Sequence, residues 1–213
     1  GNYLDTKHPI IVENLMGIKR QIGIYQKAKK PLLFSEIKEI VNVINKSKYK
    51  PERKLRDKTL ILVGFAGGFR RSELVAITRN DVEFVKEGVK IFVKKSKSDQ
   101  SGEGMVKAIP SFKYIEYCPV ENLKNWMSEY RNDLVFSISD KNVALIIKKY
   151  TQKTGLDHNK YAGHSLRSGF ATTTAESGAS ERNIMAMTGH KSVHMVRRYI
   201  KEADLFKNNA LNK

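Results

Sequence analysis

The residues of this sequence best suited to chemistry are arginines, histidines and one tyrosine at short spacings. Arg70 follows two glycines at the start of a short predicted helix, where its guanidinium and the helix N-terminus can both bind a phosphate. His164 and Arg167 lie three positions apart, so on a helix they face one ligand. His190 is followed nine residues later by Tyr199. Taken singly, each pattern also has an ordinary explanation. The Arg70 segment fits a solvated basic corner, the His164 and Arg167 spacing fits a chance pair, and Tyr199 fits a core residue.

Other catalytic and cofactor motifs are missing from the sequence. The glycine-rich segment that ends at Arg70 lacks the GK[ST] ending of a phosphate-binding Walker loop. His190 and His194 are four positions apart, but no glutamate follows His190 as in the HExxH zinc motif. The single cysteine, Cys118, excludes an internal disulfide and a cysteine-based zinc site. The sequence therefore predicts no metal and no other cofactor.

The charge of the chain favours an anionic partner. Its 213 residues include 39 lysines and arginines against 22 aspartates and glutamates, which gives a net charge of +17. Such an excess attracts nucleic acid first and an anionic membrane surface second. No apolar run approaches the roughly 18 residues needed to cross a bilayer, and no basic amphipathic anchor stands out.

The elements that must position these side chains are mostly helical. Residues 8–22 form a predicted helix, and the basic connector that ends at Pro31 predicts a domain boundary. Ser35 is the predicted N-cap of a second helix, and an apolar stripe follows it at Ile37, Ile40, Val41 and Ile44. From Ser165 onward the pattern is again helical, with predicted helix ends at two glycines, Gly178 and Gly189.

One patch between the helical blocks has strand character. Residues 82–85 and 89–93 predict a hairpin, and residues 105–109 predict a third strand that ends at Pro110. The predicted fold class is therefore mainly α with a small antiparallel three-stranded β-sheet, an α+β arrangement.

The order and spacing of these motifs resemble those of the tyrosine recombinases, also called phage-type integrases. That family has a G-[hydrophobic]-R-x-S-E-[LI] box, a lysine in a β-hairpin, an H-x-x-R box, and a G-H pair with a tyrosine nine residues after the histidine. Here Gly68–Leu74 matches the first box, and the resemblance covers roughly residues 31–206. The catalytic residues that it implies are Arg70, Lys97, His164, Arg167, His190 and Tyr199.

Three of these assignments involve a choice between neighbours or a supporting role. Lys94, Lys95 and Lys97 all follow the second strand, and Lys97 is chosen because Ser96–Asp99 looks most like the family's hairpin. Arg71 falls at the variable position of the first box, which leaves it a phosphate contact or a surface ion pair. Glu73 is expected to support catalysis by orienting an arginine, or else to be an ordinary first-turn glutamate.

The resemblance implies site-specific recombination or integration of double-stranded DNA through a 3′-phosphotyrosyl intermediate, without metal or ATP. A type IB topoisomerase uses related residues to relax supercoils, and a DNA-binding module without catalysis is a third alternative. We also expect the protein to be a monomer in free solution and a tetramer on DNA. It is expected to be cytoplasmic and nucleoid-associated, and of bacterial or phage origin. Residues 1–30 are expected to be a remnant of the family's N-terminal core-binding domain with its linker, and residues 31–213 the catalytic domain.

Overall fold

The predicted fold class is confirmed by the structure, a computed structural model that describes residues 5–23, 29–94, 104–190 and 192–204. Three strands form an antiparallel sheet in the order β1 (Val82–Val85), β2 (Gly88–Val93), β3 (Met105–Pro110). The helices are α1 (Pro9–Ile22), α2 (Phe34–Lys46), α3 (Pro51–Ala66), α4 (Arg71–Val75), α5 (Pro119–Glu129), α6 (Asp140–Lys153), α7 (Ser165–Glu176), α8 (Glu181–Thr188) and α9 (Val193–Asp204). Short 3₁₀ turns occupy Arg79–Asp81, Ile115–Tyr117 and His158–Lys160.

The sheet has the register that its alternating pattern predicts. β1 pairs with β2 from Val82 opposite Ile91 to Val85 opposite Gly88, and β2 pairs with β3 along its whole length. Alternate residues of β2 and β3 point into the core, because successive side chains of a strand lie on opposite faces. On β3 the inward positions include a lysine, Lys107, beside the apolar Ile109.

The predicted apolar stripe of α2 is buried as expected, but the predicted cap of this helix is wrong. Ser35 lies in the first turn, and the N-cap is Leu33, one residue before Phe34. The Leu33 backbone N–H donates to Glu36 Oε2 at 2.8 Å. The Glu36 side chain thus accepts a backbone hydrogen bond that would otherwise have no partner at this end of the helix. The fourth buried position of the stripe is Ile44, after Ile37, Ile40 and Val41.

Helix α3 runs through the main core and ends beside the candidate site. Its second half is buried on all sides, from Asp57 to Ala66 with few breaks. α3 packs against α2, α5 and α7, and Leu166 of α7 lies so close that a Cβ at Gly64 would come within 2.8 Å of it. This packing fixes where the chain leaves α3 and enters α4.

Helix α7 is docked against the segment that precedes α2. The Leu32 backbone N–H donates to the Ser165 carbonyl at 2.9 Å, and the Lys30 N–H donates to the Lys160 carbonyl at 2.7 Å. Within α7, Gly169 faces this segment so closely that a Cβ there would lie 1.8 Å from the Leu32 carbonyl oxygen. Only a residue without a side chain lets the two backbones approach this closely.

The remaining predictions on helices agree with the structure. Helix α1 spans the predicted range and buries none of its side chains against the described residues. Gly178 follows α7 with φ +82°, and Gly189 ends α8 with φ +63°, both in the left-handed region that favours glycine. The predicted domain boundary at Pro31 stays a prediction.

Gly169→Ala is expected to destabilise the protein by about 1–3 kcal/mol, because the added methyl group forces α7 away from Leu32 and outweighs alanine's better helix propensity. Gly17→Ala is the matched control, since a Cβ at this helical glycine meets nothing within 4 Å. Thermal unfolding of the two variants checks this, and equal melting temperatures would contradict it.

Candidate active site

The turn between α3 and α4 presents Arg70 and is held by two cationic side chains. Gly68 has φ +54°, and a Cβ there would press on Phe170 and on the Thr188 methyl group at 3.0 and 3.2 Å. The Gly68 carbonyl accepts a hydrogen bond from Arg167 Nη1 at 3.1 Å. The Gly67 carbonyl accepts one from Lys107 Nζ at 2.8 Å. The turn therefore depends on residues far away in the sequence.

Arg70 forms a close pair with Glu73. Glu73 Oε1 accepts from Arg70 Nη1 at 2.6 Å, and Glu73 Oε2 accepts from the Arg70 backbone N–H at 3.0 Å. Burial would raise the pKa of Glu73, but the hydrogen bonds from Arg70 and the charge of Lys107 bring it below its ordinary value. Glu73 thus lies where it holds the Arg70 guanidinium, and its supporting role in catalysis stays a prediction.

Arg71 points in another direction. Its Nη2 lies 3.9 Å from Asp140 Oδ2, and both side chains are exposed. Its aliphatic part covers Gly163, where a Cβ would lie 1.9 Å from Arg71 Cδ. Arg70, and not Arg71, is therefore the arginine of this box that lies against Glu73.

Arg167 is a buried arginine with hydrogen-bond donors to spare. Its side chain is 1% exposed, and apart from the bond to Gly68 its Nε and Nη2 have no acceptor among the described residues. Burial and the charge of Arg70 lower the pKa of Arg167 to about 10, so the guanidinium remains charged at neutral pH. Leaving buried charged donors without acceptors is costly, so this arrangement favours an anionic ligand.

Two histidines adjoin these arginines. His164 occupies the N-cap position of α7, and desolvation together with the charges of Arg167, Arg70 and Arg71 lowers its pKa. His190 follows the left-handed Gly189, and burial, Arg167 and Arg70 lower its pKa to about 4. Both imidazoles are therefore neutral at pH 7 while no anion balances the arginines.

The hydrogen bonds around Thr188 fix the tautomer of neutral His190. The Thr188 hydroxyl donates its one proton to the Ile184 carbonyl at 2.6 Å. The same oxygen lies 2.8 Å from His190 Nδ1, so Nδ1 carries the proton and donates to it. In the neutral ring, His190 Nε2 is therefore the unprotonated nitrogen, and it carries the lone pair.

Tyr199 lies on α9 beside these groups. Its side chain is 8% exposed and belongs to a small core cluster with Ala171, Ala175, Ile184 and Val196. Its ring centroid is 6.1 Å from that of His190, and its hydroxyl interacts electrostatically with Arg167. The structure thus brings Tyr199, predicted from its spacing to His190, to the same site as the two arginines and the two histidines.

The predicted lysine lies outside the described residues, as does its neighbour Lys95. Lys97 is the predicted residue among the three candidates for this position. Of the three, the structure describes only Lys94. Lys94 Nζ forms an ion pair with Asp81 Oδ1 at 2.9 Å, and Asp81 is buried. Lys94 therefore has a structural partner, which leaves Lys95 and Lys97 as candidates.

The sequence analysis missed one residue of this site, Lys107. It is fully buried on β3, its Nζ lies 4.0 Å from Glu73 Oε2, and its charge contributes to the lowered pKa of Glu73. The available signal was the alternation of β3, in which this lysine occupies an inward position between Met105 and Ile109.

Among the described residues, no group of three or more His, Cys, Asp or Glu side chains is placed to hold a metal ion. No helix in this part of the chain has the length and apolar character needed to cross a membrane.

The chain is similar in sequence and in fold to known integrases and recombinases. The phage integrase family matches residues 30–205. An integrase/recombinase XerD homolog of Selenomonas ruminantium is 40% identical over all of this chain, and a tyrosine recombinase XerA of Thermococcus onnurineus is 28% identical over 81% of it. A crystal structure of the XerH site-specific recombinase bound to a palindromic difH substrate, a post-cleavage complex, superposes with a TM-score of 0.68 at 20% identity.

These relatives are longer than the chain. It spans 66% of the Selenomonas protein and 58% of the Thermococcus protein, and the superposition covers 85% of this chain and 54% of the XerH chain. The family match extends over most of the sequence and includes every element that contributes to the site described above. The chain belongs to the phage integrase family.

Proposed function

We propose that this chain is the catalytic part of a site-specific tyrosine recombinase, which cleaves and rejoins double-stranded DNA without metal or ATP. The observation that carries the proposal is Arg167, a buried guanidinium next to Arg70 and Tyr199, two of whose nitrogens lack acceptors among the described residues. A phosphodiester supplies the negative charge and the oxygens that such donors require. The names of the relatives, which are recombinases, and the DNA-bound XerH complex also support it.

The arginines act on the charge of the phosphate. A phosphodiester repels nucleophiles and gains negative charge in the transition state, and Arg70 and Arg167 each offer planar donors to its non-bridging oxygens. A hydrogen bond to Glu73 already holds the Arg70 guanidinium, so this group needs little reorganisation on binding. The arrangement stabilises the transition state more than the ground state, which is what accelerates cleavage.

His190 becomes a third donor once DNA binds. The charges of Arg167 and Arg70 hold its pKa down, and a bound phosphate offsets them, so the pKa of His190 rises toward its ordinary value. The ring then takes up a proton at Nε2, while Nδ1 stays bonded to Thr188. A protonated Nε2 can donate to a non-bridging oxygen.

Tyr199 is the nucleophile of the proposed reaction. A tyrosine hydroxyl ordinarily has a pKa of about 10, so its proton must leave as it attacks. The cationic surroundings favour the phenolate, and His164, neutral at pH 7, accepts the proton. A bond forms between the Tyr199 oxygen and phosphorus, and the bond from phosphorus to the 5′ oxygen breaks.

Lys97 completes cleavage by protonating the leaving 5′ oxygen. The products are a 3′-phosphotyrosyl enzyme and a free 5′-hydroxyl. Because the new bond retains the energy of the broken linkage, a 5′-hydroxyl from a second duplex can attack it and release Tyr199. The reaction balances without any further reactant.

The same proposal covers assembly and location. We expect a monomer in free solution and a tetramer on synapsed DNA, with residues 1–30 a remnant of a core-binding domain and residues 31–213 the catalytic domain. The net charge of +17 supports binding to duplex phosphates, with an affinity that falls steeply as salt rises. A protein with this substrate works in the cytoplasm, at the nucleoid of a bacterium or on phage DNA.

Tyr199→Phe is expected to lower the yield of covalent adduct by at least about 10³-fold. DNA binding should persist, because the phenylalanine ring still packs. The assay uses a library of duplexes with a nick beside a randomised core, which traps adducts. Adducts are resolved on denaturing gels and sequenced, so their position also identifies the target. Adduct from Tyr199→Phe at the wild-type yield would remove Tyr199 from the mechanism, and no adduct from the wild type would favour a non-catalytic DNA-binding module.

Replacing Arg70 or Arg167 by lysine is expected to slow adduct formation by about 10²-fold or more, since lysine keeps the charge and loses the planar pair of donors. Arg71→Lys is the matched control, because Arg71 lies against Gly163 and Asp140 instead of Glu73. Single-turnover rates on the trapped substrate measure the effect. A slow Arg71→Lys beside a normal Arg70→Lys would reverse the assignment.

Lys97→Ala is expected to cleave ordinary DNA slowly and to recover on DNA whose 5′ bridging oxygen is replaced by sulfur. Sulfur leaves readily without a proton, so the substrate bypasses a missing general acid. Lys95→Ala is the control and should change little on either substrate. If sulfur rescued Lys95→Ala instead, the proton donor would lie two residues earlier.

A further inference from the structure

We propose that Lys107 is a positioning residue, which holds the Gly67–Gly68 turn and the end of α8 in the arrangement that aligns Arg70 with His190. The inference rests on the proposed function, since it assigns a further residue to the same cleavage reaction. Lys107 acts through its neighbours, because its side chain is fully buried.

The contacts of Lys107 join three separate parts of the chain. Its Nζ donates to the Gly67 carbonyl at 2.8 Å and to the Met187 carbonyl. Glu73 Oε2 lies 4.0 Å from the same nitrogen. The acceptors belong to the end of α3, the last turn of α8 and the first turn of α4, so one ammonium group on β3 connects three elements.

These contacts lead directly to the groups proposed to bind phosphate. Gly67 is three residues before Arg70, and Glu73 is bonded to Arg70 on two atoms. Met187 immediately precedes Thr188, whose hydroxyl accepts from His190 Nδ1. Displacing the Lys107 ammonium therefore frees both the turn that presents Arg70 and the helix end that presents His190.

An apolar side chain would fill the same space at lower cost if packing were its only role. Burying an ammonium group is unfavourable, and it is tolerated only when hydrogen bonds and an opposite charge compensate. Lys107 has both kinds of compensation, and its Nζ also lies 4.8 Å from the centre of the Phe69 ring. The charged group therefore does something that a methionine cannot, which is to bind two carbonyls and a carboxylate at one point.

The protonation of Lys107 depends on charged groups from several of the elements around it. They are Glu73 and Arg70 at α4 and Arg167 on α7, while His190 after α8 is a titratable neighbour that is neutral at pH 7. Burial, followed by the charges of Arg167 and Arg70, lowers the pKa of Lys107 to about 7 against the opposing effect of Glu73. The positioning contacts therefore weaken as the pH rises through about 7.

The first test compares Lys107→Met and Lys107→Arg with the wild type in single-turnover adduct formation at saturating protein. Lys107→Met is expected to lower the rate by about 10–100-fold at unchanged DNA affinity, the usual effect of losing a residue that orients a catalytic group. Lys107→Arg keeps a positive charge and should recover part of the rate. A Lys107→Met variant as fast as the wild type would overturn the proposal.

The matched control is Ile109→Ala, which truncates the next inward side chain of β3 and removes no charge. It should lower the melting temperature and leave the adduct rate of the folded protein unchanged. If Ile109→Ala slowed the reaction as much as Lys107→Met, the role of Lys107 would be merely structural. The bridging-sulfur substrate should not rescue Lys107→Met, and rescue would make Lys107 a proton donor instead.

The pH dependence gives a readout that loss of stability alone does not move. Measured at sub-saturating protein, where the rate reports groups of the DNA-free protein, the ratio of the wild-type rate to the Lys107→Arg rate should fall as the pH rises through about 7, because lysine loses its proton there and arginine does not. Every other titrating group is common to both proteins, so the ratio isolates position 107. A ratio independent of pH would contradict the proposed role of the ammonium charge. Lys107→Gln replaces Lys107→Met in all comparisons if the latter does not fold.

A last readout needs no cleavage, so it separates failure of this inference from failure of the proposed function. The ¹⁵N signals of the His190 imidazole report its tautomer, and Lys107→Met should disturb the Nδ1–H form while Ile109→Ala leaves it intact. Undisturbed signals in Lys107→Met would overturn the link between Lys107 and His190. A wild type that forms no adduct would instead overturn the proposed function, whatever these signals do.

Discussion

The arrangement of this site depends on one buried carboxylate among several cations. Glu73 is 3% exposed, pairs with Arg70 at 2.6 Å and lies 4.0 Å from Lys107, and its charge also acts on Arg167. Like charges repel strongly where water is excluded, so these cations can share a small volume only around a compensating anion. Burial lowers the pKa values of Arg167 and Lys107, and the repulsion that Glu73 does not cancel lowers them further. In the proposed function, the phosphate of bound DNA completes the balance.

The site is an assembly of distant segments, and the core sets their relative positions. The Gly67–Gly68 turn supplies Arg70, α7 supplies Arg167, and the region from α8 to α9 supplies His190 and Tyr199. None of these pieces is held by its own local hydrogen bonds alone. The turn carbonyls are bound by side chains 40 and 99 residues away, so the geometry of the site exists only in the folded domain.

What the sequence predicts well is what depends on near neighbours. Periodicity predicts the buried face of α2 and the hairpin, and the resemblance to a known family implies that Arg70, His164, Arg167, His190 and Tyr199 share one site. Contacts across the fold are not encoded in local patterns. The sequence therefore gives no sign that Lys107 meets Glu73 and two carbonyls, or that Asp81 holds Lys94. The misplaced cap of α2 has a local cause: Glu36 bonds back to Leu33 and moves the helix start before Ser35.

The docking of α7 on the segment at 29–32 has a mechanical consequence. The backbones touch at Gly169, and hydrogen bonds join Leu32 to Ser165 and Lys30 to Lys160, so the two move as one unit unless those bonds break. In the chain, this segment follows α1 and precedes α2. A pull or twist on α1 that reaches residue 29 is thus transmitted to α7, the helix that carries Arg167. A displacement of residues 29–32 is therefore mechanically coupled to the placement of Arg167, the most buried arginine of the chain.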